Sequence, residues 1–329
     1  MYLKEDSLDD LLHGVYSSLL EKTTKIQASK GKVAEELGSL LQLTNPRARL
    51  SLSEIRLRPS SALAEFIWYL AGSDDPQFIG QYISKYLKLK TENGRVPGAY
   101  GPRMFGAPPD NQFQTIISLL KERPTTRRAV IPLFRQRDLI ISTGSTSTVE
   151  LLEVPCTCTL QFFVRDEKVH LNVHMRSNDA YLGLPHDVFC FTMLQELVAR
   201  ALSLELGEYI HSVGSLHLYE ANFDSARQYL AEGWHEKVAM PSMPDGDQMP
   251  NASLLVKAEE RIRAGAGEEV LVGLPSYWVD LGILLLTSNQ LKSSEPDRYD
   301  AILEAAREKL TYPPYRHYLF DRQIAAADR

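Results

Sequence analysis

Pro155-Cys156-Thr157-Cys158 places a thiol just ahead of an apolar, β-branched run. A thiolate is a competent nucleophile when nearby positive charge lowers its pKa, and Arg127, Arg128 and Arg176 are the arginines that a fold could gather around it. Taken alone, a cysteine at a strand start is more often a small buried apolar residue. The Cys-x-Cys pair, with His174 as the only further ligand nearby in sequence, falls short of a metal set, and no metal is expected. Arg127-Arg128 and Arg176-Ser177 each read in two ways: as solvated residues at strand ends, or as phosphate grips, because the guanidinium fork matches phosphate oxygens. Glu65 sits inside an apolar segment, where a carboxylate is costly unless paired or hydrated. It reads either as an acid–base group or as half of a buried ion pair. His217 and Tyr219 lie two apart on a strand and share a face. That pairing suits sugar hydroxyls, and equally an ordinary half-buried strand end. Asp187 occupies the expected N-cap of a long helix, and His186 beside it reads as structural.

The elements that must position these residues follow from periodicity. Ser7–Lys22 is an amphipathic helix capped by Ser7. Leu50–Ile55 alternates as a strand, Ser61–Ala71 is helical with Glu65 inside it, and Asp110–Glu122 is a helix closed by Arg123-Pro124. Arg128–Phe134 reads as a strand. Cys158–Val164 and Val169–Met175 flank Arg165–Lys168 as a hairpin. Val188–Leu204 is apolar on most sides and so a buried helix. Tyr209–Leu218 is a strand and Tyr219–Trp234 a helix. Pro241–Pro250 reads as an exposed loop, and the chain from Asn251 on as short helices with elements that the pattern does not resolve. The sum is an α+β fold. Neither GxGxxG nor a P-loop is present, so a dinucleotide or triphosphate fold is not supported.

The chain has 329 residues, 44% apolar and 24% charged, with a formal net charge of −6. This is the profile of an ordinary globular protein and argues against bulk binding to nucleic acid. No run is long enough to span a membrane, and the acidic start Met1–Asp6 lacks the apolar stretch of a signal peptide. The three cysteines, an odd number, fit free thiols in a reducing cytoplasm. Without export the sequon Asn251-Ala252-Ser253 carries no meaning.

Each signal is weak alone, but their order is specific: Glu65-Phe66-Ile67-Trp68-Tyr69-Leu70, Tyr100-Gly101, Arg127-Arg128, Pro155-Cys156 with Gln161-Phe162, Arg176-Ser177-Asn178-Asp179, Leu182-Gly183-Leu184-Pro185, and His217-Leu218-Tyr219. The series, over residues 8 to 235, resembles the thymidylate synthase family, which includes the deoxycytidylate and cytidylate hydroxymethylases. The resemblance implies one thymidylate synthase-like domain over 1–329, family-like to 240 and divergent over 241–329. It implies a central mixed sheet packed by helices and a sheet-mediated homodimer. Cys156 matches the nucleophile that adds to carbon 6 of a pyrimidine nucleoside monophosphate, and Arg176 the arginine that contacts phosphate and activates it. Ser177 matches a phosphate-binding serine, and Arg127 and Arg128 the pair that reaches the other subunit's phosphate. Arg47 and Arg49 are alternatives for a further phosphate arginine. Glu65 matches the glutamate that orders water and moves protons, and Tyr100 the tyrosine near the carbon 5 proton. Gln161 and Asp179 match groups that hold the base and its network, and His217 and Tyr219 the pair on the sugar 3′-hydroxyl. The implied co-substrate is 5,10-methylenetetrahydrofolate.

Three departures bear on the product. Where the synthases place Asn after Pro-Phe, this chain has His186-Asp187. A carboxamide complements the ring N–H and carbonyl of uracil. A protonated carboxyl accepts from the cytosine amino group and donates to its bare ring nitrogen. A mismatched buried donor or acceptor costs about 1–3 kcal/mol, so one residue can set base choice. Thr157 replaces the usual His after the nucleophile, and the ending Gln323–Arg329 lacks the apolar tail that shuts water out. These features lead to an expected dCMP 5-hydroxymethylase. The alternatives are thymidylate synthase itself, a CMP 5-hydroxymethylase, and a catalytically silent nucleotide-binding homologue.

Overall fold

The computed structural model describes residues 1–23, 25–28, 31–56, 59–88, 94–107, 109–142 and 154–319. Seven strands form one mixed sheet: β1 (Tyr2–Glu5), β2 (Lys25–Ala28), β3 (Gly31–Leu43), β4 (Val130–Pro132), β5 (Thr157–Arg165), β6 (Lys168–Asp179) and β7 (Glu205–Tyr219). Their order is β1-β3-β7-β6-β5-β4, with β2 also paired to β3. The β1–β3 and β6–β7 pairs are parallel and the others antiparallel. The expected hairpin is β5–β6, with Arg165 opposite Lys168. Its two turn residues, Asp166 and Glu167, have φ of 49° and 58°, the left-handed pair that matches the twist of adjoining strands.

The larger helices are α1 (Leu8–Leu20), α2 (Pro59–Leu70), α3 (Pro76–Gly80), α4 (Gly101–Met104), α5 (Gln112–Glu122), α6 (Gln136–Ser142), α7 (Leu184–Ala201), α8 (Phe223–Ala231), α9 (Met249–Arg263), α10 (Ser276–Ser293) and α11 (Tyr299–Lys309). Ser7 caps α1, its hydroxyl accepting from the Asp10 amide at 3.1 Å. Helix α7 is buried on nearly every side because it lies between the sheet, at β6 and β7, and α2. Helices α9 and α10 pack behind α2, so three helical layers stand one behind another on this face of the sheet. This is the mixed sheet packed by helices that the sequence leads one to expect. Among the described residues the opposite face of the sheet carries no such cover: along β7, buried residues alternate with half-buried ones, and Leu37 and Leu40 of β3 stand exposed.

Several expectations are corrected. Leu50–Ile55 forms no strand, because Asp9 captures this segment: its carboxylate accepts from the Leu52 amide at 2.8 Å and from the Ser51 hydroxyl. Pro241–Pro250 is irregular up to Met249 but not simply exposed. Met243 and Gln248 are buried, and Gln248 accepts from the Trp278 indole at 2.9 Å. The helices after Asn251 are not short; α9 has 15 residues and α10 has 18. They join the same buried cluster as the sheet and brace the helix that carries Glu65. The segment Gln323–Arg329 lies outside the described residues. Among the described residues, no helix is long and apolar enough to cross a membrane.

Candidate active site

Cys156 immediately precedes β5 and is half-buried. Arg176, on the neighbouring β6, donates its backbone amide to the Cys156 carbonyl at 2.8 Å. The carbonyls of Pro155 (2.9 Å) and Val154 (3.0 Å) fix its guanidinium, leaving Nη2 at 3.8 Å from Cys156 Sγ. A bulge between Thr157 and Thr159 re-aims the strand at this point. The two other thiols are held protonated. Burial pushes Cys158 up, with Arg176 partly opposing, and burial followed by the Glu65 charge pushes Cys190 well above its ordinary value. Tyr100 lies beside the nucleophile, its hydroxyl accepting from the Thr157 amide at 3.1 Å. Burial, then the charges of Cys156 and Asp187, keeps that phenol protonated. Among the described residues, no group of acidic, His or Cys side chains could hold a metal ion.

Two carboxyls face this region with their pKa values pushed in opposite directions. Glu65, on α2, accepts from the Tyr69 hydroxyl one turn later (2.9 Å) and pairs with His186 Nδ1 (2.8 Å). The other nitrogen of His186 lies 3.1 Å from the Ser61 hydroxyl. Burial opposes ionisation of Glu65, but the hydrogen bond and charge of His186 outweigh it and hold the carboxyl below its ordinary value. Asp187 is the reverse. Burial first, then the Glu65 charge, raises it well above the carboxylate range, and the Asn178 amide, donating at 2.8 Å, only partly compensates. Asp187 is not the N-cap of α7. Gly183 holds that place, and the Asp187 amide already donates to the Gly183 carbonyl at 2.9 Å. The helix starts four residues earlier than its apolar run because Pro185 is tolerated in a first turn.

The groups expected at phosphate and sugar lie along the same ends of the sheet. Ser177 sits on β6 opposite Ser215 of β7, and Asp179 opposite His217. Asp179 also accepts from the Tyr181 (2.8 Å) and Leu182 (3.1 Å) amides, which shapes the loop before α7. His217 and Tyr219 meet edge to face at 5.2 Å. Burial, then the charges of Asp179 and Cys156, raises the Tyr219 phenol. Gln161 on β5 donates to the Arg127 carbonyl at 2.9 Å, tying the Arg127-Arg128 segment to the sheet. Both arginines are exposed, and neither forms an ion pair among the described residues. The two early arginines differ in setting: Arg49 is fully buried and paired to the equally buried Glu196 of α7. Arg47 is part-exposed and donates to the Ser242 hydroxyl at 2.6 Å.

Sequence reasoning missed three members of the buried polar network. His186 had no signal beyond its place at a helix start, yet it is the partner of Glu65. Glu196 is hidden in an apolar helix. His211, on β7, lies with Nε2 at 2.9 Å from Asn178 Oδ1 and Nδ1 at 2.6 Å from the Tyr209 hydroxyl. The family model described as thymidylate synthase matches residues 43–248, more than half of the chain, and spans every side chain of this site. The chain therefore belongs to the thymidylate synthase family and is a folate-dependent one-carbon transferase of the kind that acts at carbon 5 of a pyrimidine; that family binds pyrimidine nucleoside monophosphates and uses 5,10-methylenetetrahydrofolate.

Proposed function

We propose that this enzyme is a dCMP 5-hydroxymethylase. The observation that carries the reading is the setting of Asp187, a buried carboxyl 2.8 Å from the Asn178 amide that burial and the Glu65 charge push well above the carboxylate range and so toward its neutral form. A neutral carboxyl both accepts and donates, as the amino group and bare ring nitrogen of cytosine require. An ionised one would only accept, and would leave that nitrogen unpaired at a cost of about 1–3 kcal/mol.

Cys156 adds to carbon 6, with Arg176 at 3.8 Å stabilising the thiolate. This covalent step turns carbon 5 into an enamine nucleophile. The wall beyond Tyr100 suits a pterin ring. Phe191, Tyr100, Tyr69, Trp68 and Tyr86 follow one another with ring centroids 6.3, 5.3, 6.1 and 5.5 Å apart. The buried Trp68 indole N–H has no hydrogen-bond partner among the described residues, so a donor stands ready for a polar ring edge. Trp68 and Tyr86 would hold the folate, which when bound supplies the electrophilic methylene. Glu65, ionised and steadied by Tyr69 and His186, orders the water that completes the hydroxymethyl group and takes up protons. Tyr100 serves the carbon 5 proton, and His217 and Tyr219 hold the 3′-hydroxyl. Ser177, Arg176 and Arg47 bind the phosphate. Arg127 and Arg128, exposed here, reach the phosphate of a partner subunit across the uncovered sheet face.

Mass spectrometry of products after incubation with methylenetetrahydrofolate and dCMP, CMP or dUMP tests the reading. The expected outcome is a dCMP product heavier by one hydroxymethyl group. Turnover of dUMP to a methyl product with dCMP ignored identifies a thymidylate synthase instead.

A further inference from the structure

We infer that Tyr209, His211 and Asn178 form a one-way hydrogen-bond relay that decides which oxygen of Asp187 carries the proton, and through it the choice between cytosine and uracil. The inference rests on the proposal that Asp187 meets the base edge. None of the three touches substrate; they are positioning residues.

The polarity of the relay follows from what each group can donate. Asn178 turns its amide nitrogen to Asp187 Oδ2 at 2.8 Å, so its oxygen faces His211 Nε2 at 2.9 Å. That oxygen only accepts, so Nε2 must carry a proton. A neutral imidazole then has a bare Nδ1, which accepts from the Tyr209 hydroxyl at 2.6 Å. Burial enforces both states. It pushes His211 down to about 3, with His174 assisting, and it raises Tyr209 well above its ordinary value. A cationic His211 would have no acceptor for Tyr209. Tyr209 and His211 are fully buried and Asn178 nearly so, so no bulk water can reverse a link.

The consequence falls on Asp187. A carboxyl free to move its proton between its two oxygens could match either base: hydroxyl to the cytosine ring nitrogen, or hydroxyl to the uracil carbonyl with the other oxygen accepting the ring N–H. Asp187 alone would therefore discriminate poorly. Because Asn178 donates to Oδ2, that oxygen is held as the acceptor and the proton is left on Oδ1. With Oδ1 turned to the ring nitrogen, only the cytosine arrangement survives. Moving the proton to Oδ2 would make a weak acceptor of the oxygen that the Asn178 N–H addresses, while the fixed His211 and Tyr209 protons bar the amide from turning over.

Two measurements test this. In the unsubstituted protein, ¹⁵N NMR of His211 should find a neutral ring with its proton on Nε2; a proton on Nδ1 overturns the relay. In steady-state assays, His211→Phe, which removes the donor, and Asn178→Asp, which removes the amide N–H, should each shrink the dCMP-over-dUMP ratio of kcat/KM by about tenfold or more. His211→Gln, which can still donate, should retain the ratio. If His211→Phe is folded by thermal unfolding and its ratio is unchanged, while Asp187→Asn does shift preference, the relay is wrong and the role of Asp187 stands. If the unsubstituted enzyme shows no preference for dCMP, both fall together. Should His211→Phe fail to fold, the tautomer in the unsubstituted protein decides.

Discussion

The two ends of the site are built differently. At the base end, Ser61, His186, Glu65 and Tyr69 form one hydrogen-bonded chain and Asp187, Asn178, His211 and Tyr209 another, and burial raises Asp187 whereas at Glu65 it is outweighed by His186. At the phosphate end, Arg127 and Arg128 are exposed and have no carboxylate partner among the described residues. Burying an unpaired cation is far costlier than leaving it in water. Arginines meant for a phosphate can therefore wait only at the surface, whereas groups that read a base must be dry to discriminate. On the proposed reading, the chain completes base choice by itself and leaves part of the charge for the anion on its outside. The thymidylate synthase family works as dimers, and the uncovered sheet face is where this chain would find its second copy.

The largest expected effect belongs to neither end. Cys156→Ala removes the nucleophile they share, and kcat should drop on the order of 10⁴-fold or more, read as product formed per enzyme. Nucleotide binding should persist by calorimetry; its loss would mean that the cysteine holds the site together. Next, Glu65→Gln keeps the shape of the base end but removes its ionised carboxylate. A fall of roughly 10²–10⁴-fold in kcat is expected, with the larger part in kcat rather than KM. An activity within a few-fold of the original would reduce Glu65 to a structural partner of His186.

How much of this was legible in the sequence depends on the range of the interactions. The β5–β6 hairpin and α7 were readable because their signals are local: alternating apolar residues around a polar turn, and an apolar run too long for a strand. Strand β3 was not. Gly31–Leu43 alternates poorly, and its partners on β7, Tyr209–Tyr219, lie far along the chain. Arg47 and Arg49 were indistinguishable for the same reason, since the residue that sets them apart, Glu196, is 147 positions from Arg49. The order of the motifs carried the family and hence the site, but no local pattern marks His211 or says which nitrogen of its ring bears a proton. Arg49→Ala makes the distinction measurable. It leaves Glu196 as an unpaired buried charge, so unfolding stability should fall by about 3–5 kcal/mol in denaturant titration. The KM for nucleotide should hold in whatever remains folded, whereas Arg47→Ala should raise KM with little loss of stability.

The base end can also be inverted. Asp187→Asn replaces a protonated carboxyl with a carboxamide, and preference should move from dCMP toward dUMP by roughly 10–100-fold in relative kcat/KM. The pH dependence gives the sign independently. Glu65, held low, is ionised across the neutral range and protonates only on the acid side; Asp187, held high, keeps its proton well above the ordinary carboxylate range. The groups acting on Asp187 are Glu65, Asn178, Lys85 and Asp179. Activity on dCMP should therefore decline as pH rises through the raised Asp187 pKa, because the donor to the ring nitrogen is lost. The Asp187→Asn variant acting on dUMP should lack that decline; an identical alkaline limb in both would show that another group titrates there.

The smallest expected effect sharpens the contrast most. Arg127→Ala should raise KM for the nucleotide by about tenfold, the worth of one charge-assisted hydrogen bond at a partly exposed site. If its guanidinium serves the other subunit, an Arg127→Ala, Arg128→Ala double variant and a Cys156→Ala variant should complement each other. In a mixed dimer, one site has an intact thiol from the first chain and intact arginines from the second. Mixing the two under conditions that allow exchange should restore turnover with a KM near that of the original enzyme, in proportion to the heterodimer formed. Arginines that act within their own chain predict something else. No site in the mixture would then have both thiol and arginines, and KM would stay at the raised value at every mixing ratio.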